Sequence, residues 1–259
     1  MRRYIAILLA FLTLAAGPAL AEQAGGPQLR EDVTSYKGRV TLYWRDDARG
    51  APYTVTYRYV TEHPELQVEF IQPNIMEKSV TLDYMAPGGT YQVTLTDCRG
   101  NADEMTVTLP EPEPFADEKL TSAHISCGVA PRSRPALWKT ERDIKTVLRL
   151  YASDIIRDMG ITEYGFRFYF SLPELRRPRV YHTQLVFRAP NGFICVFSMG
   201  NMLYATGSGA PFTHICWAFI GNELFEYLYD YTQSVPAGPY TLDCYWDGMA
   251  VCSTTFELL

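Results

Sequence analysis

The side chains best suited to bind a metal or to move protons near neutral pH are four histidines, His63, His124, His182 and His214. They are isolated from one another. No His-Glu-x-x-His occurs, and no spacing sets two of them on one helix face, so each reads as a structural or surface residue. Serine catalysis would need a strained Gly-x-Ser-x-Gly elbow, which is absent, and Gly207-Ser208-Gly209 has the composition of a flexible loop. A glycosidase needs two carboxylates brought about 5–10 Å apart by the fold. Asp243 and Asp247 qualify by position, but Asp247 is better explained as a turn former and Asp243 as the outward member of an alternating strand. Asp46-Asp47 lacks the third acidic position and the glycine of a calcium loop, and is expected to be a solvated turn. No catalytic residue, metal ligand or cofactor is assigned on these grounds.

The six cysteines, Cys98, Cys127, Cys195, Cys216, Cys244 and Cys252, include no Cys-x-x-Cys, which removes the usual zinc and thioredoxin-type patterns. They permit up to three disulfides with the pairing left open, although Cys195 and Cys216 lie in apolar runs where a buried thiol is equally natural. Recognition is the remaining chemistry. Tyr227, Tyr229 and Tyr231, kept in a polar segment by Glu226 and Asp230, are the candidate ligand-binding residues, since flat rings stack on sugars or anchor protein interfaces. The aromatic stripe Tyr164, Phe166, Phe168 and Phe170 is expected to be core instead.

The N-terminus bears on where such recognition would happen. Arg2-Arg3, the apolar stretch Ile5–Leu14 and Ala19-Leu20-Ala21 form a secretory signal peptide pattern over residues 1–21, with cleavage expected after Ala21. The apolar stretch is too short for an anchor, and no second one of spanning length follows, so the mature chain is not expected to insert in a membrane. A net charge of −6 for the whole chain argues against nucleic acid as a partner. The expected location is secreted or cell envelope, extracellular or periplasmic, and the expected partner is carbohydrate or a cell-surface protein.

The elements that must hold these residues are mainly strands. From residue 27 to 109 short alternating runs separated by turns include Arg39–Trp44, Tyr53–Tyr59, Gln67–Ile71, Ser79–Tyr84, Tyr91–Asp97 and Met105–Leu109. Val40-Thr41-Leu42-Tyr43-Trp44, then Tyr53-x-Val55-x-Tyr57, then Met85-Ala86-Pro87-Gly88-Gly89-Thr90-Tyr91 with Val93-x-Leu95 resembles the fibronectin type III succession, with Met85 where leucine is usual. The resemblance covers residues 27–109. It implies a seven-stranded sandwich, a core role for Trp44, and a tyrosine corner in which Tyr91 bonds back to upstream backbone. It implies no activity, because the family serves mostly as binding modules and spacers.

Pro110-Glu111-Pro112-Glu113-Pro114 opens a stiff, extended linker over residues 110–118, and a second domain occupies 119–259. Pro87-x-Gly89-x-Tyr91 returns as Pro236-x-Gly238-x-Tyr240, each copy placed before a terminal hairpin; Asp247-Gly248 is the second copy's two-residue turn. Further strands are expected at Gly165–Leu172, Val180–Arg188, Phe193–Met199 and Thr213–Ile220. Ile144, Val147, Leu148, Tyr151, Ile155 and Met159 fall at helical spacing, which places an inserted amphipathic helix at 141–159; a shorter helical segment is expected over 222–231. The chain thus reads as mainly β, two tandem β-sandwich domains, fibronectin type III-like and then Ig-like with an inserted helix. An exported, noncatalytic binding or adhesion protein follows; the alternatives are a secreted polysaccharide- or peptidoglycan-acting hydrolase and a structural spacer in a surface assembly.

Overall fold

A computed structural model describes residues 26–30, 32–36, 38–47, 49–115, 122–131, 142–143, 162–172, 179–204, 212–218 and 221–259. For residues 36, 122–131, 142–143, 162–172, 179, 199–204, 212–218 and 221–223 it describes the backbone alone. The expected signal peptide lies outside these residues.

The first half forms β1 (Gln28–Leu29), β2 (Thr34–Tyr36), β3 (Arg39–Arg45), β4 (Tyr53–Tyr59), β5 (Glu69–Ile75), β6 (Ser79–Leu82), β7 (Thr90–Thr96) and β8 (Ala102–Thr108), with a 3-10 turn at Pro64–Leu66. One sheet runs β1 and β2 on β3 with β6 on its other side, and the other runs β5-β4-β7-β8, all antiparallel. Alternation explains the layers. Val40, Leu42 and Trp44 from β3 meet Tyr53, Val55 and Tyr57 from β4 and Tyr91, Val93 and Leu95 from β7 in one apolar core, while the intervening threonines and charged residues face out. Trp44 packs edge-on against Tyr53 at 5.3 Å between ring centroids, which is the core role expected of it.

The second half repeats the plan. Its strands are β9 (Ser122–Pro131), β10 (Arg142–Asp143), β11 (Thr162–Leu172), β12 (Arg179–Arg188), β13 (Ile194–Tyr204), β14 (Phe212–Ala218), β15 (Gly238–Trp246) and β16 (Met249–Leu258), with α1 (Gly221–Thr232) between β14 and β15. The sheets are β10-β9-β11-β14 and β13-β12-β15-β16. Apart from the short β10, this is the strand order of the first half, so the two halves are tandem copies of one fibronectin type III-like topology. Arg142 and Asp143, where the inserted helix was expected to begin, pair instead with Cys127 and Ser126 of β9; residues 144–159 lie outside the described residues. The expected segment at 222–231 is helical, as α1.

The tyrosine device occurs in both copies. The Tyr91 hydroxyl accepts the backbone N–H of Ala86 at 2.7 Å, and the Tyr240 hydroxyl donates to the carbonyl of Pro236 at 2.6 Å. Each bond pins the loop that enters the strand carrying the tyrosine. The second copy closes with the expected hairpin, in which Asp247 (φ 49) and Gly248 (φ 80) both take the positive angles of the two-residue turn that matches strand twist.

The corners differ in what their loss exposes. Tyr91→Phe leaves the N–H of Ala86, a fully buried residue, without its acceptor and is expected to cost about 1–3 kcal/mol. Tyr240→Phe frees a carbonyl on a half-buried proline that water can reach, and is expected to cost less. Urea unfolding of both variants checks the order.

Candidate binding surface beside the sandwich junction

Among the residues whose side chains are described, those singled out for catalytic chemistry are held in separate contacts. Asp247 forms the turn, its Oδ1 accepting the His182 N–H at 2.8 Å and its own N–H donating to the His182 carbonyl at 2.8 Å. Asp243 accepts from Ser253 Oγ at 2.6 Å and from Arg188 Nε at 3.3 Å. His63 is exposed with Nδ1 3.4 Å from Glu65, and His182 is buried. His124 and His214 lie on β9 and β14. Among the described residues no three His, Cys, Asp or Glu side chains gather as a metal site, and no helix is long and apolar enough to cross a membrane. None of Cys98, Cys195, Cys244 and Cys252 is in a disulfide. Burial pushes the Cys195 thiol up to about 12, which leaves it inert.

Asp46 corrects an expectation. It is not a solvated turn residue but is buried, accepting the Gly50 N–H at 2.6 Å and the Tyr53 hydroxyl at 2.8 Å. Its neighbour is Asp97, also buried. A Cβ added at Gly50 would meet Asp46 Oδ2 at 2.6 Å and Asp97 Oδ2 at 2.8 Å, so the two carboxylates flank one glycine. That closeness resembles a hydrolytic pair, but the chemistry is structural. Asp97 accepts from the backbone N–H of Arg99 and Asn101, from Asn101 Nδ2 at 2.9 Å and from Arg99 Nη2 at 2.6 Å. Burial pushes its carboxyl up, yet the Asn101 and Arg99 donors outweigh it and hold the group down to about 2. A general acid needs the opposite displacement.

The tyrosine segment is α1. Leu224, Phe225 and Leu228 form its buried face, with Phe225 against Phe187 and Tyr240 at centroid distances of 5.9 and 6.0 Å. The helix ends where Gln233 takes a left-handed backbone (φ 56) and donates its N–H to Tyr229 at 2.7 Å. Tyr227 and Tyr231, four residues apart, share the outer face at 44% and 37% exposure. Each rests on a second ring, Tyr227 on Phe197 at 5.8 Å and Tyr231 on Phe193 at 6.2 Å. Tyr229 is half-buried and, two residues from either, points elsewhere. Of the three candidate tyrosines, Tyr227 and Tyr231 thus share a face and Tyr229 does not.

The helix itself lies beside the 3-10 turn at Pro64–Leu66 of the first sandwich, next to the junction of the two. Two buried glutamines cross that junction. Gln67 Nε2 donates to the Gly192 carbonyl at 2.9 Å while its Oε1 accepts the Ile194 N–H at 3.0 Å. Gln184 Nε2 donates to the carbonyls of Asp83 at 2.6 Å and Met85 at 3.1 Å. Around them Ala86 packs with Val186, Val196 and Tyr245, lined by Tyr59 and Ile194. The turns at Gly38 and Gly248 touch so closely that a Cβ on Gly38 would meet Gly248 N at 3.0 Å. Of the expected linker, residues 110–115 are described, and their end is bonded to the second sandwich. Glu113 and Phe115 bond to Ala250 at 2.8 and 3.2 Å, and the Phe115 ring meets Trp246 and Tyr181 at 5.3 and 5.7 Å.

Neither glutamine is marked in the sequence by type. In the structure Tyr181 to Phe187 are all buried, polar members included, so β12 is covered on both faces around Gln184.

No family model matches the chain, and no curated protein matches it. Among solved structures it is similar to the chicken interferon gamma receptor alpha chain, at 11% identity over 89% of this chain and 95% of that one, with a TM-score of 0.25. It is also similar to the FN1–FN3 domains of chicken CNTN1, at 9% identity over 91% of this chain and 68% of that one, TM-score 0.24. A third likeness is to dimeric latent PorU from Porphyromonas gingivalis, at 10% identity over 94% of this chain but 21% of that one, TM-score 0.25. At those scores the likenesses carry no functional argument, and the topology stands on the strand order and register themselves.

The Asp97 cluster makes a pH prediction. Because its folded carboxyl sits near 2 against an ordinary 3.8, its contribution is complete above pH 3.8 and is lost as pH falls toward 2. Asp97→Asn is expected to lower stability at neutral pH by about 1–3 kcal/mol and to flatten the acid limb of a pH–stability curve in that window.

Proposed function

We propose that the protein is an exported, noncatalytic binding or adhesion component of the cell envelope or extracellular space, which meets its ligand through the Tyr227 and Tyr231 face of α1. The observation that carries this reading is the seating of both exposed rings on partner rings, half-buried Phe197 and buried Phe193. A ring already fixed by a neighbour loses little rotational freedom when a ligand lands on it, so more of the contact energy remains as affinity. The surface suits a glycan or a protein patch, both of which reward amphipathic rings.

Export is supported by the basic start, apolar core and small-x-small end of residues 1–21. The acidic balance of the chain disfavours polyanionic partners such as nucleic acid. Tyr229, facing away, supplies an internal control.

Co-sedimentation of the purified chain with insoluble polysaccharides and bacterial cell walls tests the reading. Wild type and Tyr229→Ala are expected to sediment, and Tyr227→Ala/Tyr231→Ala to lose at least about tenfold in affinity, equivalent to about 1.4 kcal/mol. Release of soluble sugar would point to a hydrolase instead. Sedimentation unchanged in the double variant would remove this face from the account.

A further inference from the structure

His182 sits inside the junction, on β12, two residues before Gln184. Its side chain is buried, and Nδ1 lies 3.4 Å from Nη2 of Arg39, which β3 contributes from the other sandwich. A guanidinium can only donate, so Nδ1 must be the acceptor and the ring proton of the neutral form sits on Nε2. That second nitrogen is buried and finds no hydrogen-bond partner of good geometry.

We propose that the junction is an acid-sensitive joint: the neutral His182 ring accepts a hydrogen bond from Arg39 across it, and protonation at Nδ1 replaces that bond with two facing cations and loosens the sandwiches. Among the described residues three charged groups act on the ring. Arg39 opposes the imidazolium directly. Asp83, between β6 and β7, favours it but is already engaged, its Oδ1 standing 3.2 Å from Arg39 Nε. Asp247 also favours it, from the β15–β16 turn, while its Oδ1 is held by the His182 backbone N–H.

The balance follows from burial. Desolvation and the Arg39 charge hold the ring below its ordinary 6.5, against the pull of Asp83 and Asp247. A separated junction would expose the ring to water and restore the ordinary value. Between the two values the open form binds the proton and the closed form does not, so junction stability is complete above pH 6.5 and falls as pH drops below it. This window lies well above that of Asp97, so the two acid responses separate.

The site is placed to matter mechanically. Arg39 follows Gly38 and Asp247 precedes Gly248, the two glycines whose turns abut, and Gln184 lies on the same strand as the ring. Displacing His182 from Arg39 would therefore strain three junction contacts together.

The test is small-angle X-ray scattering of the full chain from about pH 7.5 to about pH 5.5, paired with NMR titration of the His182 ring. Wild type is expected to expand as pH falls, with the ring titrating below 6.5. His182→Gln, which can still accept from Arg39 but cannot be protonated, is expected to keep a constant radius of gyration. Arg39→Gln, which keeps a donor without the charge, is expected to move the ring titration upward. A wild-type radius that does not change, an unchanged pH response in His182→Gln, or a ring titration indifferent to Arg39→Gln would each overturn the proposal. Should His182→Gln fail to fold, the ring titration in wild type and in Arg39→Gln still decides it.

Discussion

Two primary amides set the relation between the halves of this molecule. Gln67 and Gln184 are buried where the sandwiches meet, and each bonds backbone groups of the opposite half, Gln67 while also reaching Thr61 and His63 of its own. A buried amide is costly unless its partners are in place, so each glutamine tolerates few alternative positions of the neighbouring sandwich. Apolar contact between Ala86, Val186, Val196 and Tyr245 supplies attraction but is less particular about angle. The polar bonds supply the geometry. The Pro-rich segment reinforces it by lying along β16 through Ala250, so that what composition suggests is a spacer becomes part of the second sandwich's edge.

Within each sandwich the organising device is the tyrosine corner. It solves the same problem twice: the chain must leave one sheet, cross to the other and enter a central strand in the correct register. A hydroxyl anchored to the entering loop fixes that crossing, and the direction of the bond is free to differ. Tyr91 accepts and Tyr240 donates, because a phenol can do either. The loops they fix lie near the junction in the first copy, through Ala86, and behind α1 in the second, where Tyr240 packs on Phe225. Strand register, junction and the tyrosine face are thereby mechanically continuous.

Much of this architecture was legible because alternation is a local property. Tyr53–Tyr59 coincides with β4 and Asp247-Gly248 with the β15–β16 turn, and the Pro-x-Gly-x-Tyr repeat located both corners. What failed did so for physical reasons. β9 contains Ser122, Ala123, Ser126, Gly128 and Ala130, residues too small or too polar to write an alternating pattern. Asp46 looked solvated because its burial depends on Tyr53 and on Asp97, which is distant in the chain. The helix carrying Tyr227, Tyr229 and Tyr231 was expected, and its period of 3.6 turns Tyr229 away from the other two. Gln67 and Gln184 were illegible since an interface between halves leaves no periodic trace in either one.

If the glutamines and the apolar patch hold the halves as described, the molecule tumbles as one body. Backbone 15N relaxation at neutral pH measures this directly, by fitting rotational diffusion separately to amides of residues 39–108 and 179–258. A single diffusion tensor shared by both sets is the expected result. Two independent tensors, with faster tumbling for each half, would contradict the account, because the junction would then be a hinge and the tyrosine face would belong to the second sandwich alone.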